Sequence, residues 1–293
     1  MVGTFMNLTF PQILDGQRIG EEMLVALRDK AESFLVRTGR KPKLALLRIG
    51  ENPASALYMR RKCAVAEKIG IECTASVFPI GTPLESVEEK ISQWNNSPSV
   101  DAIMVQAPLP SAEYQRSVFN AIDPKKDVDG FHPVNVGKLA CEDSSGFVPC
   151  TPKGILRLLH AHDIPLAGRH VVIIGRSSIV GRPLGLLLQS RTVNATVTIC
   201  HSRSQNLASI TRAADILVVA AGRAKLVTAD MVKNGIVVVD VGQNRDESGL
   251  LCGDVDFRSV APRCMYITPV PGGVGPMTVA MLMENVIQAC EHE

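Results

Sequence analysis

The chain has 293 residues, with 31 Lys+Arg against 29 Asp+Glu and a formal net charge of +2. That length suits one large domain or two medium ones. A composition of 46% hydrophobic and 20% charged residues is that of a globular protein, not a disordered one. The near-zero charge balance gives no broad electrostatic reason to expect nucleic acid or an anionic membrane as a partner.

The predicted elements alternate between amphipathic stretches and short β-like runs. Residues 17–38 carry Ile19, Met23, Leu27, Ala31 and Phe34 on one helical face. Lys43–Ile49 reads as a strand, 55–69 as a helix, Thr74–Phe78 as a strand, 84–94 as a helix, Ala102–Gln106 as a strand and 112–122 as a short helix. This βαβαβ order predicts a parallel sheet with right-handed crossovers. Residues 123–150 are rich in Asp, Gly, Pro and Ser and read as a break between two α/β units. Thr151 then serves as an N-cap, with Pro152 opening a helix.

His170–Ile174 follows as a strand, then a helix over 179–189, a strand at Thr196–Cys200 and a helix over 207–214. The near-continuous apolar runs Ile216–Ala221 and Ile236–Val241 predict buried parallel strands. The uncharged run Cys264–Met283 has about the length of a membrane span. Its six prolines and glycines, Pro269, Pro271, Gly272, Gly273, Gly275 and Pro276, rule out one regular helix. It reads as a loop entering a final helix, 277–291.

The N-terminal residues lack a basic region followed by a sustained apolar stretch, so no signal peptide is expected. The eight cysteines include no C-x-x-C pair and no His at zinc-ligand spacing, so they are expected to be free thiols of a reducing, cytoplasmic compartment, and no metal site is expected. His132, for the same reason, reads as structural.

The glycine-containing loop after HVVII runs Gly175, Arg176, Ser177, Ser178, Ile179, Val180, Gly181 and leads into a helix. A strand, a tight turn and a helix N-terminus are the setting in which backbone N–H groups meet a pyrophosphate. The Gly175-x5-Gly181 spacing departs from G-x-G-x-x-G, and a plain βα turn is the alternative. The next strand ends Cys200-His201-Ser202-Arg203, without the acid that would bond a ribose 2′-hydroxyl. Arg176, Ser202 and Arg203 together suit a 2′-phosphate, which favours NADP over NAD.

In the first half, Tyr58 and Lys62 stand at i and i+4 on one helix and face the same way. Gln106 ends a strand at the edge where open parallel sheets bind ligands. Asp129 and Asp127 lie in the polar break. Taken singly, Lys62 reads as a surface lysine and Gln106 as a loop cap, while Asp129-Gly130 reads equally as a turn. The glycine- and proline-rich TPVPGGVGPMT segment would let backbone approach a ligand closely.

The motifs YMRRK, VQAPLP, KDVDGFHPVNVGKL, PCTPKGI, GRSSIVGRP and PVPGGVGPMTVAML occur in this order. Together they resemble the methylenetetrahydrofolate dehydrogenase/methenyltetrahydrofolate cyclohydrolase family over about residues 10–290. The resemblance implies a bifunctional NADP-linked enzyme of one-carbon folate metabolism and tetrahydrofolate interconversion, feeding purine biosynthesis, and a homodimer. It implies an α/β fold with an N-terminal catalytic, folate-binding domain (1–147 plus 277–293) and a Rossmann-like NADP-binding domain (148–276), flanking a cleft. The last helix is expected to pack back on the first domain.

By the same resemblance Lys62 is the active-site lysine, Tyr58 stacks on the folate, Gln106 sits beside the lysine, and Asp129 holds the pterin edge. Pro271, Gly272 and Gly273 join the substrate side. Gly175, Arg176, Ser177, Ser178, Ile179, Ser202, Arg203, Gly242, Gln243 and Thr278 are the cofactor residues. Two positions depart from the family pattern. Ala107 replaces the usual Leu, which would widen the pterin pocket, and Gln243 replaces the usual Ile near the nicotinamide. A monofunctional dehydrogenase of the same fold is the alternative reading.

Overall fold

The structure, a computed structural model, describes residues 11–291, apart from the side chain of Ala54. Most of the N-terminal segment behind the signal-peptide expectation lies outside the described residues.

In chain order the elements are β1 (Gln12–Ile13), α1 (Gly16–Thr38), β2 (Lys43–Ile49), α2 (Pro53–Lys68), β3 (Glu72–Phe78), α3 (Leu84–Asn95), β4 (Ala102–Gln106), α4 (Ala112–Ala121), α5 (Pro133–Ala140) and α6 (Cys150–Ala161). There follow β5 (His170–Ile174), α7 (Gly181–Gln189), β6 (Thr196–Cys200), α8 (Leu207–Ala213), β7 (Ile216–Val219), β8 (Ile236–Asp240), β9 (Asn244–Arg245), β10 (Leu251–Cys252), α9 (Phe257–Val260), β11 (Cys264–Ile267) and α10 (Val274–Glu291). The chain divides into two compact units. The first is Gly20–Lys153 with the chain from Thr278 onward; the second is the chain up to Ile19 with Gly154–Met277.

The first unit holds a three-stranded parallel sheet ordered β3-β2-β4. Central β2 is buried from Leu44 to Ile49, which explains its almost unbroken apolar sequence. Leu44 and Leu46, with Ala102 and Met104 beside them, pack against Leu27 and Ala31 of α1 and Met59 and Ala66 of α2. Met281, Leu282, Met283, Val286 and Ile287 of α10 complete this core, so the last helix packs on the first unit as expected. Burying each such side chain contributes roughly 1.5–3 kcal/mol.

Residues 123–150, expected to be a break, are built into the first unit. Ile103 donates its N–H to the Lys126 carbonyl at 2.7 Å, and Asp127 forms a parallel bridge with Ile103. Helix α5 follows, with the His132 Nδ1 accepting from Val134 N at 3.1 Å as an N-cap and Pro133 in its first turn. Eight residues give too short an apolar period to be seen in sequence. The polar composition has a physical use. Buried Asn135 donates to Asp127 and to the Pro124 carbonyl, both at 2.9 Å, and accepts from Phe147 N.

One cysteine expectation is overturned: Cys63 of α2 and Cys73 of β3 form a disulfide, their Cα atoms 5.4 Å apart. No sequence spacing announces the pair, because packing of α2 on β3 creates it. The other six cysteines form no disulfide among the described residues.

The second unit is a six-stranded, all-parallel sheet ordered β1-β11-β8-β7-β5-β6. The order reverses at β5, which lies between β6 and β7. Such a reversal opens a crevice outside the carboxyl ends of the strands. Val172, Ile174, Leu217, Val219, Ile236 and Val238 form the heart of its core. The stretch expected to run from loop straight into helix begins with strand β11, and α10 starts at Val274. With only four residues, flanked by Pro262 and Pro269, and Met265 exposed, β11 gives no alternating signal. Helix α6 begins at Cys150, so Thr151 is inside its first turn and not its N-cap. Its hydroxyl meets the Thr278 hydroxyl at 3.1 Å.

Candidate active site

In the first unit, α2 carries Tyr58 and Lys62 one turn apart, and β4 ends at Gln106. The Lys62 Nζ donates to the Gln106 Oε1 at 2.9 Å and approaches the Met104 Sδ at 3.3 Å. The Gln106 amide is fixed in turn by donating to the Ala107 carbonyl at 2.8 Å, beside the cis Ala107–Pro108 bond. Lys62 is 8% exposed. Burial lowers its pKa, while Asp129 and Cys150 oppose that shift. A lysine held this way releases its proton more readily than a surface lysine.

Asp129 is buried too, at 8% exposure. Burial is the main cause raising its pKa to about 6; Lys62 pulls the other way, neighbouring Asp127 pushes further up, and a hydrogen bond with Cys150 lowers it. Asp127, almost fully buried, accepts from His132 N at 2.8 Å and from Asn135, and burial still raises its pKa. Cys150 donates to the Val128 carbonyl at 3.3 Å, and burial pushes its thiol well up. Asn285 of α10, fully buried, donates to the carbonyls of Val128 at 2.8 Å and Val148 at 3.1 Å. Lys62, Gln106 and Asp129 thus form one partly charged cluster, and Tyr58 shares the α2 face. The sequence marks Asp127 only by its place in the polar break beside Asp129, and it does not mark Cys150 or Asn285. Asn285 sits far along the chain, where only packing of α10 reveals it.

In the second unit, β5 leads through Gly175 to α7. Gly175 has φ +123°, and a Cβ there would lie 2.1 Å from the Ala220 carbonyl oxygen. A Cβ on Gly181 would meet the Gly175 carbonyl at the same distance. Both glycines are therefore required by close backbone approach. Ser177 Oγ accepts from Val180 N at 3.2 Å, ordering the turn, and Arg176, Ser177 and Ser178 are exposed with Ile179 half-buried. After β6, His201 Nδ1 accepts from Arg203 N at 3.2 Å and Ser204 Oγ from His201 N at 2.9 Å. This tight turn presents Ser202 and Arg203 to solvent. The cradle lies at the sheet's reversal, and the cations and hydroxyls at its edge match the phosphates of a dinucleotide. After β8, Gly242 is buried and Gln243 exposed.

The tail segment divides. Pro271 is exposed after a cis Val270–Pro271 bond, Gly272 accepts from Gln17 N at 2.9 Å, and Gly273 is buried, all in the second unit. Thr278 belongs to the first unit, where it meets Thr151. The structure thus groups Thr278 apart from the other expected cofactor residues, and residues 271–273 apart from the Lys62 cluster. Among the described residues there is no cluster of three or more His, Cys, Asp or Glu suited to a metal ion. No helix among them is long and apolar enough to cross a membrane.

The family model for the tetrahydrofolate dehydrogenase/cyclohydrolase catalytic domain matches residues 14–129, and that for the family's NAD(P)-binding domain matches 149–293. The chain belongs to the tetrahydrofolate dehydrogenase/cyclohydrolase family. It is 48% identical over 278 residues to the bifunctional protein FolD of Streptococcus pneumoniae serotype 4, covering 95% of this chain and 96% of that one. The solved bifunctional FolD methylenetetrahydrofolate dehydrogenase/cyclohydrolase of Campylobacter jejuni is 42% identical, with a TM-score of 0.92 over 96% of this chain and 99% of that one. The Trypanosoma brucei enzyme, solved with NADP cofactor and an inhibitor, is 34% identical with a TM-score of 0.92, over 97% and 98% of the two chains. Lys62, Gln106 and Asp129 fall within the catalytic-domain match, and Gly175 and Gly181 within the NAD(P)-binding match.

Proposed function

We propose that this chain oxidises 5,10-methylenetetrahydrofolate to 5,10-methenyltetrahydrofolate with NADP⁺, then hydrolyses the product to 10-formyltetrahydrofolate. The observation that carries this reading is the pairing of buried Lys62 with half-buried Gln106 at 2.9 Å, coupled to buried Asp129. Proton transfer during hydrolysis needs a group poised near neutral pH, and a desolvated lysine is one.

Gly175, Gly181 and the α7 N-terminus hold the dinucleotide's pyrophosphate, and Arg176, Ser202 and Arg203 its 2′-phosphate. Ser177, Ser178 and Ile179 line the cradle, and Gly242 and Gln243 continue it. Bound NADP⁺ supplies the acceptor for the hydride leaving the methylene carbon. The folate nitrogens stabilise the resulting cation, so the protein's part in oxidation is positioning. Tyr58 stacks on the aromatic portion of the folate, and Asp129 accepts hydrogen bonds from the pterin N–H groups. Pro271, Gly272 and Gly273 are assigned to the folate side, and Thr278 to the cofactor.

In hydrolysis, water adds to the methenyl carbon and the bond from that carbon to N5 breaks. Lys62 takes a proton from the attacking water and returns one to N5, while Gln106 orients the amine. The net products are 10-formyltetrahydrofolate and one proton. We assign the enzyme to the cytoplasm, on the six cysteines that stay thiols with the Cys63–Cys73 bridge the exception, and as a homodimer. Among the described residues, edge strand β3 pairs on one side only, with Val77 half-exposed and Ile80 just beyond it, a surface that a second copy would cover.

A spectrophotometric assay with methylenetetrahydrofolate and either NADP⁺ or NAD⁺, following methenyl formation and decay, tests the reading. NADP-dependent formation followed by enzyme-dependent decay is expected. Formation without accelerated decay would reduce the chain to a dehydrogenase.

A further inference from the structure

The second unit contains two buried carboxylates that the reaction does not call for. Asp254 is 0% exposed and Asp240, the last residue of β8, is 4% exposed. Each is surrounded by N–H donors. One Asp254 oxygen accepts from Ala221 N at 2.6 Å and Gly222 N at 2.9 Å. The other accepts from Arg223 N at 2.8 Å and the Asn244 side-chain amide at 2.8 Å. Asp240 accepts from Gly242 N, Asp254 N and Val255 N, each at 2.9 Å. Its own N–H donates to Thr268 Oγ1 at 2.7 Å, which reaches the residue after β11.

Each donor lies on a turn at the carboxyl end of the sheet or on the 253–255 segment that braces it. Residues 221–223 follow β7, and 242–244 follow β8. The β7 turn begins at Ala220, whose carbonyl a Cβ on Gly175 would strike. The crevice at the sheet's reversal lies between β5 and β7. The turn that Asp254 gathers is therefore one wall of the glycine cradle, and the turn that Asp240 gathers carries Gln243. A carboxylate accepting several backbone N–H groups fixes their directions together, and leaving such buried donors unpaired is costly.

We propose that Asp254 and Asp240 are positioning residues of the nucleotide site, setting the β7 and β8 turns against the Gly175 cradle. They touch no reacting atom; they act through the turns. The inference rests on reading this end of the second unit as the NADP site. It separates the two activities, because hydrolysis of added methenyltetrahydrofolate uses no nucleotide.

The test compares Asp254→Asn, Asp240→Asn and the milder Asn244→Ala, which removes only one bond to Asp254. NADPH affinity is measured by fluorescence titration, KM and kcat by the dehydrogenase assay, and hydrolysis of methenyltetrahydrofolate without nucleotide. An asparagine keeps one acceptor oxygen and turns an NH₂ toward N–H donors. Asp254→Asn should weaken NADPH about tenfold or more, a change of about 1.4 kcal/mol. Asn244→Ala should weaken it about threefold, a smaller loss than for a charged acceptor. Both should raise the KM for NADP⁺ more than they lower kcat, with nucleotide-free hydrolysis within about twofold of the parent. Unchanged NADPH affinity in Asp254→Asn and Asn244→Ala overturns the proposal. Parallel loss of both activities in the mild variant overturns it too, since that marks a general structural role. Arg176→Ala separates this failure from failure of the underlying reading. If it weakens NADPH while the network variants do not, only the positioning role is wrong. If it also leaves NADPH binding intact, the assignment of the nucleotide site falls.

Discussion

Lys62 and Asp129 are two buried ionisable groups whose surroundings push them toward neutrality from opposite sides. Burial lowers the lysine and raises the aspartate, and each partly restrains the other. Replacing Lys62 by Met removes the proton acceptor while keeping an apolar side chain of similar length. Hydrolysis of methenyltetrahydrofolate should fall by about 10²–10⁴-fold, measured by loss of the methenyl absorbance; a wild-type rate would remove Lys62 from the mechanism. Asp129 gives a pH prediction. Its pKa is raised to about 6, so the carboxylate is ionised above that pH and protonated below. Hydrogen bonds that need the charged form are therefore lost as pH falls through about 6. The KM for folate should rise there, approaching about tenfold per pH unit, and Asp129→Asn should show a high KM with that step absent. A KM flat from pH 7 to 5 in the parent enzyme would contradict the role. Lys62, Gln106 and Asp129 were legible in the sequence through the motifs around them. Asp240 and Asp254 are not legible there because an acid beside an apolar run carries no label for what it accepts; only the folded chain aims six backbone N–H groups and one side-chain amide at the pair.

At the scale of elements, the strands that matter most were the easiest to read. β2, β5, β7 and β8 are short apolar runs because they are buried, and each appears where its pattern places it. The failures have physical causes. β11 lacks alternation, and α5 is hidden in a segment whose Asp, Gly and Pro content imitates a linker while its Asn135 and Asp127 serve as internal partners. The Cys63–Cys73 bridge was invisible because it joins elements whose packing alone makes them neighbours. It closes a sequence separation of 10 residues, for which loop-closure entropy suggests a stabilisation of roughly 3 kcal/mol. Thiol titration of denatured, unreduced protein should count six free cysteines, and added reductant should lower the urea midpoint. A count of eight would remove the bridge.

At the scale of the whole molecule, neither unit is one continuous stretch of chain. β1, at the start, pairs with β11 in the second unit, and α10, at the end, completes the core of the first. A fragment ending at residue 153 would expose the face formed by Leu44, Leu46 and Met104 that Met281, Leu282, Val286 and Ile287 cover. Several side chains at roughly 1.5–3 kcal/mol each are comparable to the stability of an entire domain. Such a fragment should show no cooperative urea transition by near-ultraviolet circular dichroism, and adding a peptide spanning 278–293 should restore one. A sharp transition without the peptide would show that the helix is dispensable.

This placement of α10 also sets an order of events during synthesis. The sheet bearing Gln106 and the helix bearing Lys62 leave the ribosome before β5, yet the α10 side chains that seal their core follow only after β11. Every residue of β5 through β11 emerges before that seal is available. The unit whose sheet is made before β5 through β11 is thus sealed after them, and its half-built apolar face must stay out of contact with other chains until the turns of α10 arrive.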